Sequence, residues 1–353
     1  MEYLVKEADL RTLCTNIFCH LGINEQDAAT TADLLVRADL RGVYSHGVYR
    51  VAEYAKRIRA GGVETAGNIE ILRETPVTAA LDAHYALGAV ASMRAVQMAR
   101  EKAKENGLAF ITVRNSNHFS MAAYGAMMLA QEDMIGFAAS DSDPGMATFG
   151  GAAPRSGNNP FSCAFSGKTY KNICLDVACS MMAGGKKSRL IARGEQLPPD
   201  SFLDAQGRKT LDPALGVISL PFGGHKGSGL AFIIETLTSR LAGGVFGPGM
   251  GRFNGPPEER IKTSHCFGAI RIDAFQDLSD FQKGVDDYVD YLKSSPVQPG
   301  VTEIFYPGEM ENRNETAYRA NGIPLEGTVV DALIQECEKA GLSPDEYSFL
   351  KKV

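Results

Sequence analysis

The sequence predicts an α/β protein in which helical segments at both chain ends flank a middle region of mixed strands and helices. The first part of the chain has helical periodicity, short apolar runs begin to alternate with helical patterns near residue 70, and helical patterns return toward the C-terminus. We therefore expect a helical domain formed by residues 1–70 with 285–353, and an α/β body formed by residues 71–284. The two helical segments would pack together, because chain termini often lie close in space.

Caps and glycine stops indicate the helices of the first segment. Asn24 is the expected N-cap of the helix in INEQDAATTADLLVRADLRG, which ends at Gly42. The next helix lies in GVYRVAEYAKRIRAGG, where one apolar stripe is formed by Val48, Val51, Ala55 and Ile58.

The body alternates predicted strands with predicted helices. Strands are expected at residues 68–74, 78–83, 108–113, 135–140, 172–180, 216–222 and 266–273. Helices are expected at residues 87–107, 121–131 and 226–244, and in the C-terminal segment at 281–295 and 327–341. The glycine- and proline-rich stretch 243–260 is expected to be a long irregular surface loop.

Composition excludes several classes of protein. The chain has 353 residues and a net charge of -6 without a long basic run, which argues against a nucleic-acid partner. No apolar run approaches the roughly 18 residues that would span a bilayer, and the N-terminus lacks the pattern of a signal peptide. The seven cysteines and six histidines show no metal-binding spacing. We therefore expect a cytoplasmic protein with free thiols and no metal.

The stretch SHGVYR combines a proton-transfer group with a cation. His46 and Arg50 are four residues apart, so both would project from one face of a helix that Ser45 could cap. Arg50 could bind a carboxylate through two hydrogen bonds while His46 exchanges a proton. The alternative is a surface helix start with a capping serine and incidental charges.

The stretch RNSNHF places a histidine in a strand-to-helix turn, where catalytic groups are often found on a rigid scaffold. Asn115 and Asn117 could fix the tautomer of His118 or bind a substrate hydroxyl. The alternative is a turn rich in asparagine with a hydrogen-bonded histidine.

The stretch FGGHKGSGLAF is suited to an anion. Its glycines allow a ligand to approach the backbone, a helix N-terminus follows, and Lys226 adds a positive charge. The alternative is a glycine-rich turn with a solvated lysine. Neither a P-loop nor a Gly-x-Gly-x-x-Gly fingerprint after a strand is present, which argues against an ordinary Rossmann fold.

Nine stretches, in this order and spacing, resemble the malate/L-lactate dehydrogenase type 2 family, whose members include sulfolactate, ureidoglycolate and diketogulonate dehydrogenases and piperideine-2-carboxylate reductase. They are SHGVYR, NSNHF, SDSDPGMATFGG, SGNNPFSCAF, LDVACS, RGEQLP, DAQGRKTLDPA, GGHKGSGLAF and YPGEMENR. The resemblance covers nearly the whole chain. It implies a non-Rossmann NAD(P)-binding sheet domain of the sulfolactate-dehydrogenase type. It also implies a homodimer with active sites at the subunit interface.

The same resemblance implies roles for individual residues. Either His46 or His118 would be the proton donor and acceptor, and the substrate would be held by Ser45, Arg50 and Asn117. The cofactor-binding positions would be Ser142, Asp176, Val177, Ala178, Cys179, Ser180, Lys226, Pro307, Gly308 and Glu309.

The chain departs from the family pattern at four places. Residues 183–186 read AGGK where an arginine is common after the first alanine, which bears on NAD against NADP. A 2′-phosphate could still be held by the basic residues that follow, namely Lys186, Lys187 and Arg189, but the missing arginine favours NADH slightly. The other departures would tune substrate or cofactor, and they are Ser120, Asn158 and His225.

The sequence therefore predicts an NAD(P)-dependent 2-hydroxy acid dehydrogenase, acting at C2 of a small acid such as a malate-, lactate- or sulfolactate-like compound. An imidazole with the unperturbed pKa near 6.5 would serve both reaction directions at neutral pH. The alternatives are a reductase that converts cyclic or N-alkyl imines to amino acids and, with less support, a non-catalytic nucleotide-binding protein.

Overall fold

The computed structural model describes residues 2–182, 187, 190–191 and 193–351. Its helices are α1 (Glu7–His20), α2 (Glu25–Leu40), α3 (Val51–Arg59), α4 (Gly88–Asn106), α5 (Ala123–Ala130), α6 (His225–Glu235), α7 (Leu278–Lys293), α8 (Glu309–Asn321) and α9 (Gly327–Ala340). Its strands are β1 (Glu2–Val5), β2 (Glu70–Glu74), β3 (Thr78–Asp82), β4 (Leu108–Ser116), β5 (Met134–Ser140), β6 (Met146–Ala147), β7 (Pro154–Ser156), β8 (Phe161–Phe165), β9 (Ile173–Val177), β10 (Phe202–Leu203), β11 (Ile218–Ser219), β12 (Thr263–Arg271) and β13 (Ile323–Glu326).

The body is built on a seven-stranded sheet with the order β2-β3-β4-β12-β5-β8-β9. Only β3 and β4 are parallel neighbours, and the other adjacent pairs are antiparallel. A doubly wound sheet is made of parallel strands, so this sheet is of a different kind. The predicted α/β fold without a Rossmann sheet is thus confirmed. A second, four-stranded sheet has the order β10-β11-β6-β7.

The late strand β12 is inserted between β4 and β5 and thereby sets the position of their ends. Its residues pair with β4 on one side and with β5 on the other. Strand β4 ends at Ser116, directly before the turn that carries His118, and β5 ends at Ser140, directly before the segment that carries Ser142. The two turns therefore leave neighbouring parts of one sheet.

The two chain ends meet, as expected. Strand β1 pairs with β13 in antiparallel register, and helix α9 packs against α1 and α3. One hydrophobic core runs from Val5 to Leu350 and includes the sheet residues Ile111 and Phe267, so helical segments and sheet share a core. The predicted domain limit after residue 284 falls within α7. The division into two domains stays a prediction.

Local signals located most elements correctly. The side chain of Asn24 accepts the backbone N–H of Asp27 at 3.0 Å, as expected for an N-cap. The long helix predicted to Gly244 is α-helical to Glu235 and continues as a π-helical turn. The strand predicted at 216–222 is reduced to β11. The elements that were not predicted are helix α8 and strands β1, β6, β7, β8, β10 and β13.

Three further features of the described residues concern membrane spans, metal clusters and cysteines. Within the described ranges, no helix is both long and apolar enough to cross a membrane. In the same part of the chain, no cluster of three or more His, Cys, Asp or Glu side chains is arranged to hold a metal. All seven cysteines are free thiols.

Candidate active site

The segment that carries His46 and Arg50 is not the start of one helix. Two short 3-10 turns, Tyr44–His46 and Val48–Arg50, precede α3 and are separated by Gly47 in an extended conformation. The prediction that both side chains project from one helical face, capped by Ser45, is therefore wrong. The hydroxyl of Ser45 instead lies 2.8 Å from Nδ1 of His46, and its carbonyl accepts a hydrogen bond from Nε of Arg50 at 2.7 Å.

A buried carboxyl group explains this break. Asp39, on α2, is 2% exposed, and its Oδ2 accepts the backbone N–H of Val48 at 2.7 Å. A Cβ atom on Gly47 would lie 1.9 Å from Oδ1 of Asp39, so the segment between His46 and Arg50 fits closely against this carboxyl. Burial raises the pKa of Asp39 to about 8, against the opposing effect of the Val48 N–H. The group is therefore mostly protonated at neutral pH.

This pKa predicts how stability depends on pH in the variant Asp39→Asn. Between pH 4 and 8 the native state of the wild type keeps the Asp39 proton that the unfolded state loses, so Asp39 lowers wild-type stability as pH rises. Asparagine cannot titrate. The free energy of unfolding of the variant should therefore gain about 1.4 kcal/mol per pH unit relative to the wild type. Urea unfolding of both proteins across this range measures the difference, and parallel curves would contradict it.

The turn that carries His118 fixes the tautomer of its ring. The Tyr54 hydroxyl, on α3, lies 2.7 Å from Nδ1 of His118, and the backbone N–H of Ser120 donates to the same atom at 3.3 Å. Because a backbone N–H can only donate, Nδ1 of the neutral ring must be the acceptor, and the proton is assigned to Nε2. Among the described residues, neither His118 nor His46 uses Nε2 in a hydrogen bond.

Folding brings the two histidines and the arginine together. The rings of His46 and His118 stack with centroids 5.7 Å apart and planes at 25°. Phe253 stacks on His118 with centroids 4.5 Å apart, and the Arg50 guanidinium carbon lies 5.3 Å from the Phe253 centroid. The Ser120 hydroxyl donates to the carbonyl of His46 at 2.6 Å and joins the two turns. Phe253 was missed by sequence reasoning, which treated its segment only as an irregular loop.

The expectation of histidines with ordinary pKa values is wrong. Burial and, second, the charge of Arg50 lower the pKa of His46 to about 4. Burial, followed by the charges of His46 and Arg50, holds the pKa of His118 well below its usual range. Both side chains keep part of their surface accessible, but dense protein surrounds the rings. Both imidazoles are therefore neutral at pH 7 before a ligand binds.

Asn117 is turned toward the backbone of a neighbouring loop. Its side chain is 4% exposed, and its Nδ2 donates to the carbonyls of Tyr85 and Ala86 at 2.7 and 2.9 Å. These bonds hold the segment before α4 against the His118 turn. Both amide hydrogens are thus engaged, and Oδ1 is buried without a hydrogen-bond partner among the described residues, so the side chain positions the turn and presents no accessible polar atom to a substrate.

Three of the segments predicted to bind a cofactor converge. The Ser142 hydroxyl donates to the side-chain oxygen of Asn158 at 2.7 Å. The backbone carbonyl of Asn158 accepts the N–H of Cys179 at 2.6 Å. The carbonyl of Cys179 in turn accepts the N–H of Phe222 at 2.9 Å, just before α6. Ser142, the end of β9 with Cys179 and Ser180, and the N-terminus of α6 therefore lie together.

The N-terminus of α6 fits an anionic ligand, although less amide surface is free than expected. Gly223 and Gly224 have φ of +55° and +61°, which glycine adopts readily. The N–H groups of Gly224, Lys226 and Gly227 all donate to backbone carbonyls of the same turn. Lys226 is exposed, and its ammonium group has no hydrogen-bond or ion-pair partner in the described part of the chain. Binding of an anion at this site would therefore depend chiefly on this ammonium group.

The remaining predicted cofactor residues lie along β9 and at its far end. The carboxylate of Asp176 accepts the N–H of Ala123 at 3.2 Å, at the start of α5, and Val177 and Ala178 follow it toward Ser180. The carbonyl of Pro307 accepts the N–H of Cys174 at 3.0 Å, beside Gly308.

Glu309 completes this far end. Its carboxylate is 2.8 and 2.7 Å from the ammonium group of Lys293 and 2.7 Å from Arg313, which together hold its pKa below the usual range against the opposing effect of burial. The structure thus separates the stretch 307–309 from the cluster at Ser142 by the length of β9.

The whole departure at 183–186 lies outside the described residues, as do Ser188 and Arg189. Lys187 is described, and its ammonium group donates to the carbonyl of Gly216 at 2.8 Å and lies 5.5 Å from the ring centroid of Phe202. This cation is therefore already engaged by the protein.

Two imidazoles with free Nε2 atoms beside a guanidinium form an arrangement for proton transfer on a small carboxylic acid. A second cluster with a free ammonium group and a helix N-terminus suits an anionic cofactor. Fold and site together therefore define an acid–base enzyme built on a non-Rossmann sheet.

Comparison with known proteins identifies the family. The model of the family described as malate/L-lactate dehydrogenase matches residues 5–334. The L-sulfolactate dehydrogenase of Methanocaldococcus jannaschii is 35% identical over 346 residues, which cover 98% of this chain and 99% of the relative. The ureidoglycolate dehydrogenase (NAD(+)) of Escherichia coli O157:H7 is 28% identical over 332 residues, which cover 94% of this chain and 95% of the relative.

Solved structures support the same family assignment. The sulfolactate dehydrogenase of M. jannaschii superposes with a TM-score of 0.92 at 34% identity, covering 98% of this chain and 99% of that one. The malate dehydrogenase of Pyrococcus horikoshii OT3 superposes with a TM-score of 0.88 at 31% identity, covering 97% of each chain. The chain belongs to the malate/L-lactate dehydrogenase family. It is an oxidoreductase that transfers hydride on small 2-hydroxy acids, and the family implies a nicotinamide cofactor.

Proposed function

We propose that the protein interconverts a small 2-oxo acid and its 2-hydroxy acid, with malate-, lactate- or sulfolactate-like substrates, at the cluster of His46, His118 and Arg50. The stacking of the two imidazoles at 5.7 Å beside the guanidinium carries this proposal. The names of the archaeal relatives support the substrate class. When bound, the nicotinamide cofactor supplies or accepts the hydride.

Arg50 binds the substrate carboxylate. Its Nε is fixed by the carbonyl of Ser45 at 2.7 Å, whereas no hydrogen bond of its two terminal nitrogens occurs among the described residues. The side chain is thus held at one end and free at the other, where a carboxylate can accept two parallel hydrogen bonds. The Ser45 hydroxyl, 2.8 Å from Nδ1 of His46, is proposed to bind the substrate as well.

The bound carboxylate also changes the protonation of the histidines. Arg50 is one of the causes of their low pKa values, and an anion on its guanidinium would offset that charge and raise both pKa values. The imidazole then becomes able to carry the proton that the C2 oxygen needs in reduction. Substrate binding and protonation are coupled in this way, so the proton arrives only when the acid is in place.

We assign the proton transfer to His118, because Tyr54 can support both of its charge states. In the neutral ring the Tyr54 hydroxyl donates to Nδ1, 2.7 Å away. When the ring is protonated, Nδ1 becomes a donor, and the hydroxyl can accept from it and turn its own hydrogen to the carbonyl of His118, 3.2 Å away. The imidazolium gives its Nε2 proton to the C2 oxygen and is left neutral with a proton on Nδ1, which the Tyr54 hydroxyl accepts; in oxidation the bare Nε2 of this tautomer takes the proton back. His46 stacks alongside and is the alternative donor.

We propose that the cofactor is held by ten residues from the segments described above: Ser142, Asp176, Val177, Ala178, Cys179, Ser180, Lys226, Pro307, Gly308 and Glu309. The free ammonium group of Lys226 suits a pyrophosphate. NADH is favoured over NADPH, because Lys187 already binds the carbonyl of Gly216, and the name of the E. coli relative specifies NAD(+).

A homodimer in the cytoplasm is also proposed. Helix α6 and the turn after it expose apolar side chains that a second copy would cover: Phe232, Ile233, Leu237, Leu241 and Phe246. Free thiols at all seven cysteines suit a reducing compartment. Light scattering should give the mass of two chains, and a monomer mass would contradict the dimer.

A screen of cofactor oxidation tests the proposed reaction. Both reduced nicotinamides are offered with oxaloacetate, pyruvate and sulfopyruvate, with the same acids plus methylamine, and with cyclic imino acids. We expect oxidation of NADH with at least one oxo acid in the absence of amine. Turnover only with imines would establish the imine reductase instead. Binding of NADH without any turnover would favour the non-catalytic alternative.

A further inference from the structure

A third histidine, His265, lies at the centre of the sheet and takes no part in the proposed chemistry. It is on β12 and is 0% exposed. Burial lowers its pKa to about 3, so the ring is neutral under all assay conditions. It therefore does not exchange protons with a substrate. Its contacts, however, reach both of the turns that carry the site.

Both ring nitrogens of His265 are hydrogen-bonded to serine hydroxyls at the ends of the flanking strands. Nδ1 lies 2.9 Å from the Ser140 hydroxyl, at the end of β5, and Nε2 lies 2.9 Å from the Ser116 hydroxyl, at the end of β4. The Ser140 hydroxyl donates to the carbonyl of Asp141 at 2.7 Å, so it accepts from Nδ1–H. The Ser116 hydroxyl has two acceptors in reach, Nε2 of His265 at 2.9 Å and the carbonyl of Asn117 at 3.5 Å; donation to the closer Nε2 gives the chain of bonds one consistent direction.

Two further features orient the His265 ring between the ends of β4 and β5. The register of β12 against β4 shifts between Thr263 and His265, and such irregularities re-aim a side chain. The ring of Phe119, the residue after His118, stacks on His265 with centroids 4.4 Å apart and planes at 25°. His265 therefore contacts the His118 turn on both sides, through Ser116 and through Phe119.

We infer that His265 is a positioning residue for the hydride-transfer reaction: it fixes the strand end that leads to His118 relative to the strand end that leads to Ser142. The inference rests on the proposed function, from which His118 and Ser142 take their roles. An ordinary buried histidine would stabilise the fold only. A clamp between the proton-transfer turn and the cofactor segment would in addition affect how well the two ligands are aligned with each other.

The variant His265→Phe tests this directly, because phenylalanine keeps the ring and its stacking on Phe119 but removes both hydrogen bonds. We expect kcat to fall by about 10–10²-fold, as for a small misplacement of reacting groups. The primary deuterium isotope effect with NADH labelled at the transferred position should rise, because hydride transfer becomes rate-limiting. NADH affinity should stay within about twofold, since each binding segment is intact.

The double variant Ser116→Ala/Ser140→Ala removes the same bonds from the other side. It should reproduce the defect, and adding His265→Phe to it should have little further effect, because interacting groups are non-additive. Val113→Ala is the matched control: it is also buried, on β4 opposite His265, and has no polar side chain. It should destabilise the fold yet keep kcat and the isotope effect within about twofold.

A binding measurement makes the test independent of turnover. The Kd for NADH is measured by fluorescence with and without saturating oxamate, an unreactive analogue of a 2-oxo acid. Oxamate should tighten NADH binding about tenfold in the wild type, and this ratio should approach one in His265→Phe. Equal ratios in the two proteins would overturn the inference, as would an unchanged kcat and isotope effect in a folded variant.

If His265→Phe does not fold, the serine double variant is tested by the same measurements and with the same criteria. Failure of the wild type to reduce any oxo acid would contradict the proposed function, and the binding ratio would still decide the role of His265.

Discussion

Replacing His118 by alanine will lower kcat for reduction of the 2-oxo acid by about 10²–10⁴-fold, the usual contribution of general acid–base catalysis. The affinity for NADH will stay close to that of the wild type, because no residue of the proposed cofactor cluster contacts this ring in the described structure. Steady-state kinetics and NADH fluorescence measure the two effects separately.

Two further variants separate chemistry from packing. His118→Phe keeps an aromatic ring that can stack with His46 and with Phe253, and it should be as inactive as the alanine variant. His46→Ala should retain more activity, since His118 and its contact with Tyr54 remain. If His118→Ala turned over at near the wild-type rate and His46→Ala did not, the proton transfer would belong to His46.

Replacing Arg50 by methionine will lower kcat/KM for the oxo acid by about 10²–10³-fold. Loss of one partner from a hydrogen-bonded charge pair typically costs about 2–5 kcal/mol. Arg50→Lys should recover part of this loss, because lysine keeps the charge but cannot form two parallel hydrogen bonds. Arg59→Met, at the end of the helix that follows Arg50 and paired with Glu336, is the control and should leave kcat/KM unchanged.

The same variant should also change the pH dependence. Arg50 lowers the pKa of His46 and of His118, so without it the protonated form persists to higher pH. The pH at which kcat/KM for reduction declines should therefore move upward in Arg50→Met, since this profile reports the free enzyme. A shift to lower pH would contradict the account of the electrostatics.

Sequence reasoning was reliable where a feature depends on neighbouring residues. The cap at Asn24 and the stop at Gly107 are local, and both occur in the structure. His46, Arg50 and His118 were also found, because residues with chemical potential next to glycine or asparagine in turns stand out without a structure.

Features that depend on distant residues were not predictable. The break at Gly47 is imposed by the carboxyl group of Asp39 on another helix, and no local signal shows that contact. The low pKa values of His46 and His118 follow from burial, which the sequence does not reveal. Phe253 lies in an irregular loop and reaches His118 only through the tertiary fold.

His265 shows the same limit most clearly. In the sequence it is one of six scattered histidines without a motif. Its position depends on the insertion of β12 between β4 and β5, which are much earlier in the chain. Non-local strand pairing of this kind is set by packing of the whole sheet rather than by any segment of it.

A crystal structure of the protein with NADH and oxamate tests the central claim most directly. We expect the oxamate carboxylate on the terminal nitrogens of Arg50, its carbonyl oxygen within hydrogen-bond distance of Nε2 of His118, and the nicotinamide on the open side of the analogue. Oxamate bound away from both Arg50 and the two imidazoles, in the protomer and in any assembly, would contradict it.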